Sequence, residues 1–318
     1  MAGTGEEQVV PTRIVCELKE LKKSYDALHK EWDYQQEQID RAEEELQNLK
    51  FQLLSQSQYC AHVGSVIGNL IWKGARDPKF SEALLDSNLR RDFLYIISDA
   101  LLSFMETYAL ELPPGCTEEA QFILSIVGAV ANMAACPAGR QVLSGSDAAR
   151  QLMIEFITYL PILPLPSGNK LKQLMLMALY NVSINKRGLR FLQQKTDHAE
   201  KLVQALGYVM RSDTAPEPRL TALRLLQSLT CDVASPVVID CIDESISLPD
   251  LRWLLKNRAT DDETKEVCKQ IEDNLERARQ RHGMKGRCTG AVPFDGCSFV
   301  RAQGELKPGN AVDKPWDR

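Results

Sequence analysis

Residues 171–192, LKQLMLMALYNVSINKRGLRFL, set Leu171, Leu174, Met175, Met177, Ala178, Leu179 and Val182 at three- and four-residue steps, covering more than half of a helix circumference. A helix this apolar must be buried on several sides, and one polar residue, Asn181, lies within its apolar surface. The pattern recurs. Aligned on that asparagine, the chain gives VIGNLIWKGARDPKF around Asn69, AVANMAACPAGRQVL around Asn132, and LLQSLTCDVASPVVI with Ser228 in the asparagine's place. The spacings of 63, 49 and 47 residues fit an array of helical hairpins or triplets, whose usual period is about 40 to 47. The long first interval holds an insertion, residues 109–118, with Pro113, Pro114 and Gly115. These copies predict an all-α, armadillo-type solenoid whose concave face is lined by the last helix of each repeat.

Ahead of the repeats a different period takes over. Ile14, Leu18, Leu21, Tyr25, Leu28, Trp32, Gln35, Ile39, Ala42, Leu46, Leu49, Leu53 and Gln56 alternate in four- and three-residue steps, and only the two glutamines are not apolar. A period of 3.5 specifies a left-handed coiled coil, and no proline or glycine falls between Thr12 and Ala61. One helix over residues 13–58 follows, roughly 65 Å long at about 1.5 Å per residue. Its seam, Leu18, Leu21, Tyr25, Leu28, Trp32, Ile39, Leu46, Leu49 and Leu53, predicts that residues 1–58 oligomerise. With Leu18 at an a position, Glu17 faces Lys22 and Glu45 faces Lys50 across a parallel bundle. Surface pairs of this kind contribute about 0–1 kcal/mol and bias orientation rather than drive assembly. Tyr25, Trp32 and Gln35 leave the strand number open, and the alternative is a helix folded back on its own globular domain.

The domain reading is therefore residues 1–12 disordered, 13–58 a coiled-coil oligomerisation helix, 59–282 an armadillo-like repeat domain, and 283–318 a disordered, glycine-rich tail. Gly64 and Gly68, one turn apart, suggest a close helix crossing, since glycine inside a helix costs about 1 kcal/mol against alanine. Thr117 is a candidate N-cap. The proline-bearing segments 161–169 and 212–218 read as linkers between repeats, and 248–282 as closing helices. Four repeats are too few to cap both ends well, so the armadillo part is expected to self-associate through an apolar face.

The amino terminus MAGTGEEQVV lacks the blocks of a signal peptide, and the apolar run 122–135 is shorter than the roughly 20 residues a bilayer span needs. No membrane association is expected, and the location follows as cytosol or nucleus. The nine cysteines form no C-x-x-C pair, and His29, His62, His198 and His282 stand at no ligand spacing. They read as reduced and mostly structural, with no metal. A formal charge of −5 argues against direct nucleic-acid binding. No nucleophile elbow, Walker loop or dinucleotide fingerprint occurs, so neither an enzyme nor a cofactor is expected.

The functional candidates are Asn69, Asn132 and Asn181, because an amide offers donor and acceptor together and pairs with both groups of a peptide unit. The alternative is that each amide ties helix to helix inside the fold. Arg140, Arg76 and Arg190 follow their asparagines by eight, seven and nine residues. They should form a basic rim able to hold partner carboxylates.

QYCAHVGSVIGNLIW, NMAACPAGRQVL and LKQLMLMALYNVSINKRGLRFL resemble the heat shock factor 2-binding protein family, also called the meiotic localiser of the breast cancer type 2 susceptibility protein. The likeness covers about residues 46–279. It implies an amino-terminal coiled coil and a carboxy-terminal armadillo domain that binds a peptide segment of the breast cancer type 2 susceptibility protein. Such an adaptor helps bring strand-exchange recombinases to meiotic double-strand breaks, on meiotic chromosomes in the nucleus and also in the cytoplasm. Heat shock factor 2, and a recombinase-recruitment cofactor on the coiled coil, are the further partners implied. By position, the CPAGR turn puts Arg140 at a site the family uses. The partner-peptide site expected is Asn132, Arg140, Asn181 and Arg190. A second class is a cytoplasmic scaffold that sequesters or modulates transcription factors such as heat shock factor 2.

Overall fold

The computed structural model describes residues 9–284, apart from short breaks at 87, 109–110, 195–196, 213–214, 247 and 259. The expectation of disorder at both ends concerns residues that lie largely outside this range. Helix α1 (Val9–Gly74) already covers the last four residues of the segment 1–12. The chain divides into two compact units, Met1–Cys60 and Ala61–Arg318.

In the first unit α1 runs without interruption, its chain free of helix breakers from Arg13 to Cys60. Its seam residues are all exposed in the single chain, from Ile39 and Leu46 at 51% to Leu28 at 70%. The ion pairs here, Arg13–Glu17 and Glu37–Arg41, lie four residues apart along the same helix, as do His29 and Asp33, in contact at 3.7 Å. They stiffen the helix by tenths of a kcal/mol, roughly 0.2–0.5 each.

The second unit is built from helical triplets. The first is α2 (Pro78–Asp86), α3 (Arg90–Thr107) and α4 (Glu118–Ala135); the second is α5 (Pro137–Gly145), α6 (Asp147–Tyr159) and α7 (Asn169–Ser183). The third is α8 (Lys186–Leu192), α9 (Asp197–Ser212) and α10 (Pro216–Cys231), and the fourth α11 (Pro236–Ser245), α12 (Leu248–Lys256) and α13 (Asp262–Arg281). Third helices stack in the order α4, α7, α10, α13, second helices as α3, α6, α9, and first helices as α2, α5, α8. No strand occurs among the described residues. The stack of third helices is the spine. Its core includes Val130, Met175, Leu179, Leu225 and Ile271, each fully buried.

Segments 161–169 and 212–218 fall inside triplets, between second and third helices, rather than between repeats. The prolines mark where the chain swings from the outer layer to the spine. The segment 248–282 supplies α12 and α13, which with α11 complete a full triplet rather than a mere closure.

The end of α1, residues 61–74, is a third helix without a triplet of its own, and it packs on α4. A Cβ on Gly68 would lie 2.1 Å from Ser125 Oγ, one on Gly64 3.1 Å from the Phe122 ring, and one on Gly128 2.4 Å from the Trp72 indole. The close crossing expected from Gly64 and Gly68 is present, with Gly128 as its counterpart on α4.

Each spine helix then turns sharply into the next triplet, α4 and α5 meeting at 110°. Cys136 caps α5 by accepting from the Gly139 N–H at 3.3 Å, and Asn185 caps α8 by accepting from the Arg187 N–H at 2.8 Å. Thr117 caps α4. At two of these turns the next helix crosses the spine backbone so closely that only glycine fits. A Cβ at Gly139 would sit 1.8 Å from Met133 O, and one at Gly188 2.1 Å from Val182 O.

Gly139→Ala and Gly188→Ala should each destabilise the protein by about 1–3 kcal/mol, the usual cost of overpacking. Gly115→Ala should be near neutral, since nothing lies within 4 Å of a Cβ there. Urea unfolding of the three variants checks this: equal midpoints would show that the turns do not need glycine.

Candidate peptide-binding surface

The asparagines that mark the repeats form a ladder along the spine. Asn132 Nδ2 donates to Trp72 O at 3.1 Å, and Asn181 Nδ2 donates to Ala131 O at 3.2 Å. At the next rung Ser183 Oγ donates to Ser228 Oγ at 2.8 Å. The last rung is Asn274, whose Nδ2 lies 3.4 Å from Gln227 O and 3.3 Å from Thr230 Oγ1. Asn69 differs, donating to Ser65 O of its own helix at 2.9 Å. Asn132 and Asn181 are half-buried, and each fastens its helix to the one before. One N–H of each amide therefore serves the fold. An amide has a second N–H and an oxygen besides.

Lateral polar contacts flank the ladder. Gln173 Nε2 donates to Thr221 Oγ1 at 3.0 Å, Gln227 bonds Gln270, and Arg224 pairs with Glu263. At the amino-terminal end of the spine, His62, Asn69 and Lys73 face Cys116, Glu118 and Gln121 across an open cleft of 520 Å³, in which His62 Nδ1 donates to the Glu118 carboxylate. At the other end Arg279 pairs with Asp243 in a nearly buried contact, joining α13 to α11.

Arg140 follows the α4–α5 turn, where its Nη1 donates to Ala135 O at 2.8 Å. This bond offsets an unpaired carbonyl at the end of α4 and fixes the guanidinium's direction. Arg76 and Arg190 are exposed at the equivalent places before α2 and on α8. Two more arginines near the Arg190 position, Arg150 and Arg187, belong to the same edge. Arg150 follows Asn132 by 18 residues, well beyond the seven to nine of the others, and Arg187 follows Asn181 by six, just short of it. Asn274 was missed for another reason: its surroundings, QIEDNLERAR, are charged where the other copies are apolar.

Two ionisable groups report on the end of the array. Asp261 caps α13, and the bonds it accepts from the Thr264 hydroxyl and N–H hold its carboxyl below the usual range. Burial pushes the Cys268 thiol up to about 11. Only Cys136 and Cys268 are buried among the described cysteines. Cys16, Cys60, Cys116 and Cys231 are exposed, fewer structural thiols than the apolar setting of the repeats suggests. Among the described residues no group of three or more His, Cys, Asp or Glu is placed to hold a metal ion.

A spine of third helices flanked by a basic edge defines a helical-repeat binding module of the armadillo type. Residues 61–187 match the family model of the heat shock factor 2-binding protein ARM-like domain. The chain is 31% identical over 217 residues to the heat shock factor 2-binding protein of Mus musculus, a match covering 68% of this chain and 62% of that relative. This domain is similar to the ARM-like domain of the heat shock factor 2-binding protein family, a family of binding proteins, and the chain spans less than two thirds of the mouse relative's length.

Asn181→Ala removes the part-buried bond to Ala131 O, so it should lower stability by about 0.5–1.5 kcal/mol. Asn69→Ala, which loses only a bond within one helix, should cost less than Asn181→Ala. Thermal melts of both test the ladder, and equal losses would speak against it.

Proposed function

We propose that the chain is a non-enzymatic adaptor that binds a peptide segment of the breast cancer type 2 susceptibility protein and helps localise strand-exchange recombinases to meiotic double-strand breaks. The observation that carries this reading is the family's ARM-like domain, here with an asparagine-marked spine and an arginine at the CPAGR turn. The bound segment lies along Asn132 and Asn181 in an extended form, meeting the free polar groups of those amides, while its carboxylates meet Arg140 and Arg190. The exposed seam of α1 serves oligomerisation with further copies, and a recombinase-recruitment cofactor docks on that coiled coil. Val66, Ile67 and Leu70, exposed on α1, and Tyr95 and Ile96, exposed on α3, support a second self-association through the open start of the array. The site of action is the meiotic chromosome, with a cytoplasmic pool.

A second reading follows from the name of the mouse relative: a scaffold that holds heat shock factor 2 or related transcription factors in the cytoplasm through the same surfaces. The two separate on the partner each recognises.

Arg140→Ala should weaken binding of the susceptibility-protein segment by about 1.5–3 kcal/mol, the range for hydrogen bonds to charged groups. The melting temperature should change little, because Arg140 bonds the fold through one carbonyl only. Calorimetric titration alongside melting curves decides: wild-type affinity in a well-folded Arg140→Ala protein moves the site elsewhere.

A further inference from the structure

The basic edge of the array is not uniform. On the second and third triplets it carries Arg140, Arg150, Lys186, Arg187 and Arg190, with Asp147 as the acid nearest in the chain. Two of the guanidiniums converge on the carboxy-terminal end of α5. Arg150 Nε donates to Ser144 O at 3.2 Å, and Arg187 Nη2 reaches Gly145 O at 3.5 Å, so the two heads are anchored on consecutive carbonyls. Arg150 also lies over the Phe191 ring, 5.7 Å from its centroid, which stiffens it further. Its only carboxylate neighbour among the described residues is Asp147, a loose contact at 4.0 Å with the acid fully exposed. Lys186 and Arg190 are exposed on α8 and make no ion pair among the described residues. The arginines are thus oriented by backbone carbonyls and keep most of their donors for something else.

The first helices on either side of this ridge carry more acid than base: α2 has Glu82 and Asp86 against Lys79, and α11 has Asp240 and Glu244, with Asp243 already paired with Arg279. The ridge draws Arg150 from the start of α6 and Lys186, Arg187 and Arg190 from α8, two helices that both pack on α5. Helices pack about 8–10 Å apart, so its width is on the order of 20 Å, or about six residues of extended chain. A long polyanion would run into the flanking acids, whereas a short acidic segment would not.

We infer that the ridge of Arg150, Lys186, Arg187 and Arg190 docks a short acidic segment, about six residues long, of a protein partner. The inference rests on the reading of this domain as a peptide-binding module and supplies the charge pattern that its partner carries beside the groove. Bidentate carboxylate pairs with Arg150 and Arg187 fix the segment's register, and Lys186 and Arg190 add charge at the rim.

The test uses the intact chain and fluorescence anisotropy with labelled probes: a peptide of about six glutamates, the matching glutamine peptide, and a single-stranded oligonucleotide of about 20 bases. The glutamate peptide should bind and the glutamine peptide should not. Lys186→Glu/Arg187→Glu, both exposed, outside the groove and costing the fold no more than the 3.5 Å Arg187–Gly145 O contact, should lose at least about tenfold in affinity. Arg187→Lys should lose part of it, since charge is kept and the fork is not. Equal binding of the two peptides, unchanged affinity in the double variant, or tighter binding of the oligonucleotide overturns the inference. The two readings fail separately. If Arg140→Ala loses the susceptibility-protein segment while the double variant keeps the glutamate peptide, only the ridge is wrong. If Arg140→Ala keeps that segment while the double variant loses the glutamate peptide, only the groove is wrong.

Discussion

The second unit depends on one repeated link, a polar side chain on one spine helix bonded to the backbone or hydroxyl of the spine helix before it. Ala131 O and Gln227 O sit inside helices that already supply a donor four residues on, so each uses a second lone pair to receive an amide from the next repeat, while Trp72 O, in the last turn of α1, is a helix-end carbonyl that Asn132 satisfies. Apolar packing alone would let adjacent helices slide, because dispersion has little directional preference. A buried amide is directional and costly to leave unpaired. Placed once per repeat, it fixes the register of α4 on α1, of α7 on α4 and of α13 on α10. The Ser183–Ser228 hydroxyl pair serves α10 with a shorter reach.

Register in the spine propagates outward. Once α4 and α7 are aligned, the α4–α5 and α7–α8 turns come into line, Gly139 and Gly188 letting each short helix cross the backbone below it. The turns in turn set Arg140, Arg187 and Arg190 on one edge, and the end of α5 holds Arg150 and Arg187 by their carbonyl bonds. The same residue that ties the fold also marks the groove. A partner peptide, on the reading proposed, lies against amides whose positions the fold has already fixed, which lowers the ordering cost of binding.

Much of this was legible in the sequence where a local pattern carries it. The 3.5-residue alternation from Ile14 to Gln56 and the lack of breakers specify the long helix. The asparagine alignment finds the third helices, because a polar residue inside an apolar helix stands out. What it could not give was the phase of the repeats. Proline-rich segments 161–169 and 212–218 look like domain linkers in one dimension, yet they only carry the chain from second to third helix. Asn274 went unseen because the last spine helix faces solvent on its outer side, which dilutes the apolar pattern with charge. Arg150 and Arg187 were hidden for a different reason: they are brought together where α6 and α8 both meet the end of α5, a long-range arrangement that no spacing rule reaches.

The ladder is the central claim, and native-state hydrogen exchange on the intact chain tests it most directly. If side-chain bonds couple neighbouring spine helices, Asn274→Ala should speed exchange in α10 as well as in α13, because the helices open as a unit. Faster exchange confined to α13, with α10 as protected as before, would contradict the account and leave apolar packing as the sole link between repeats.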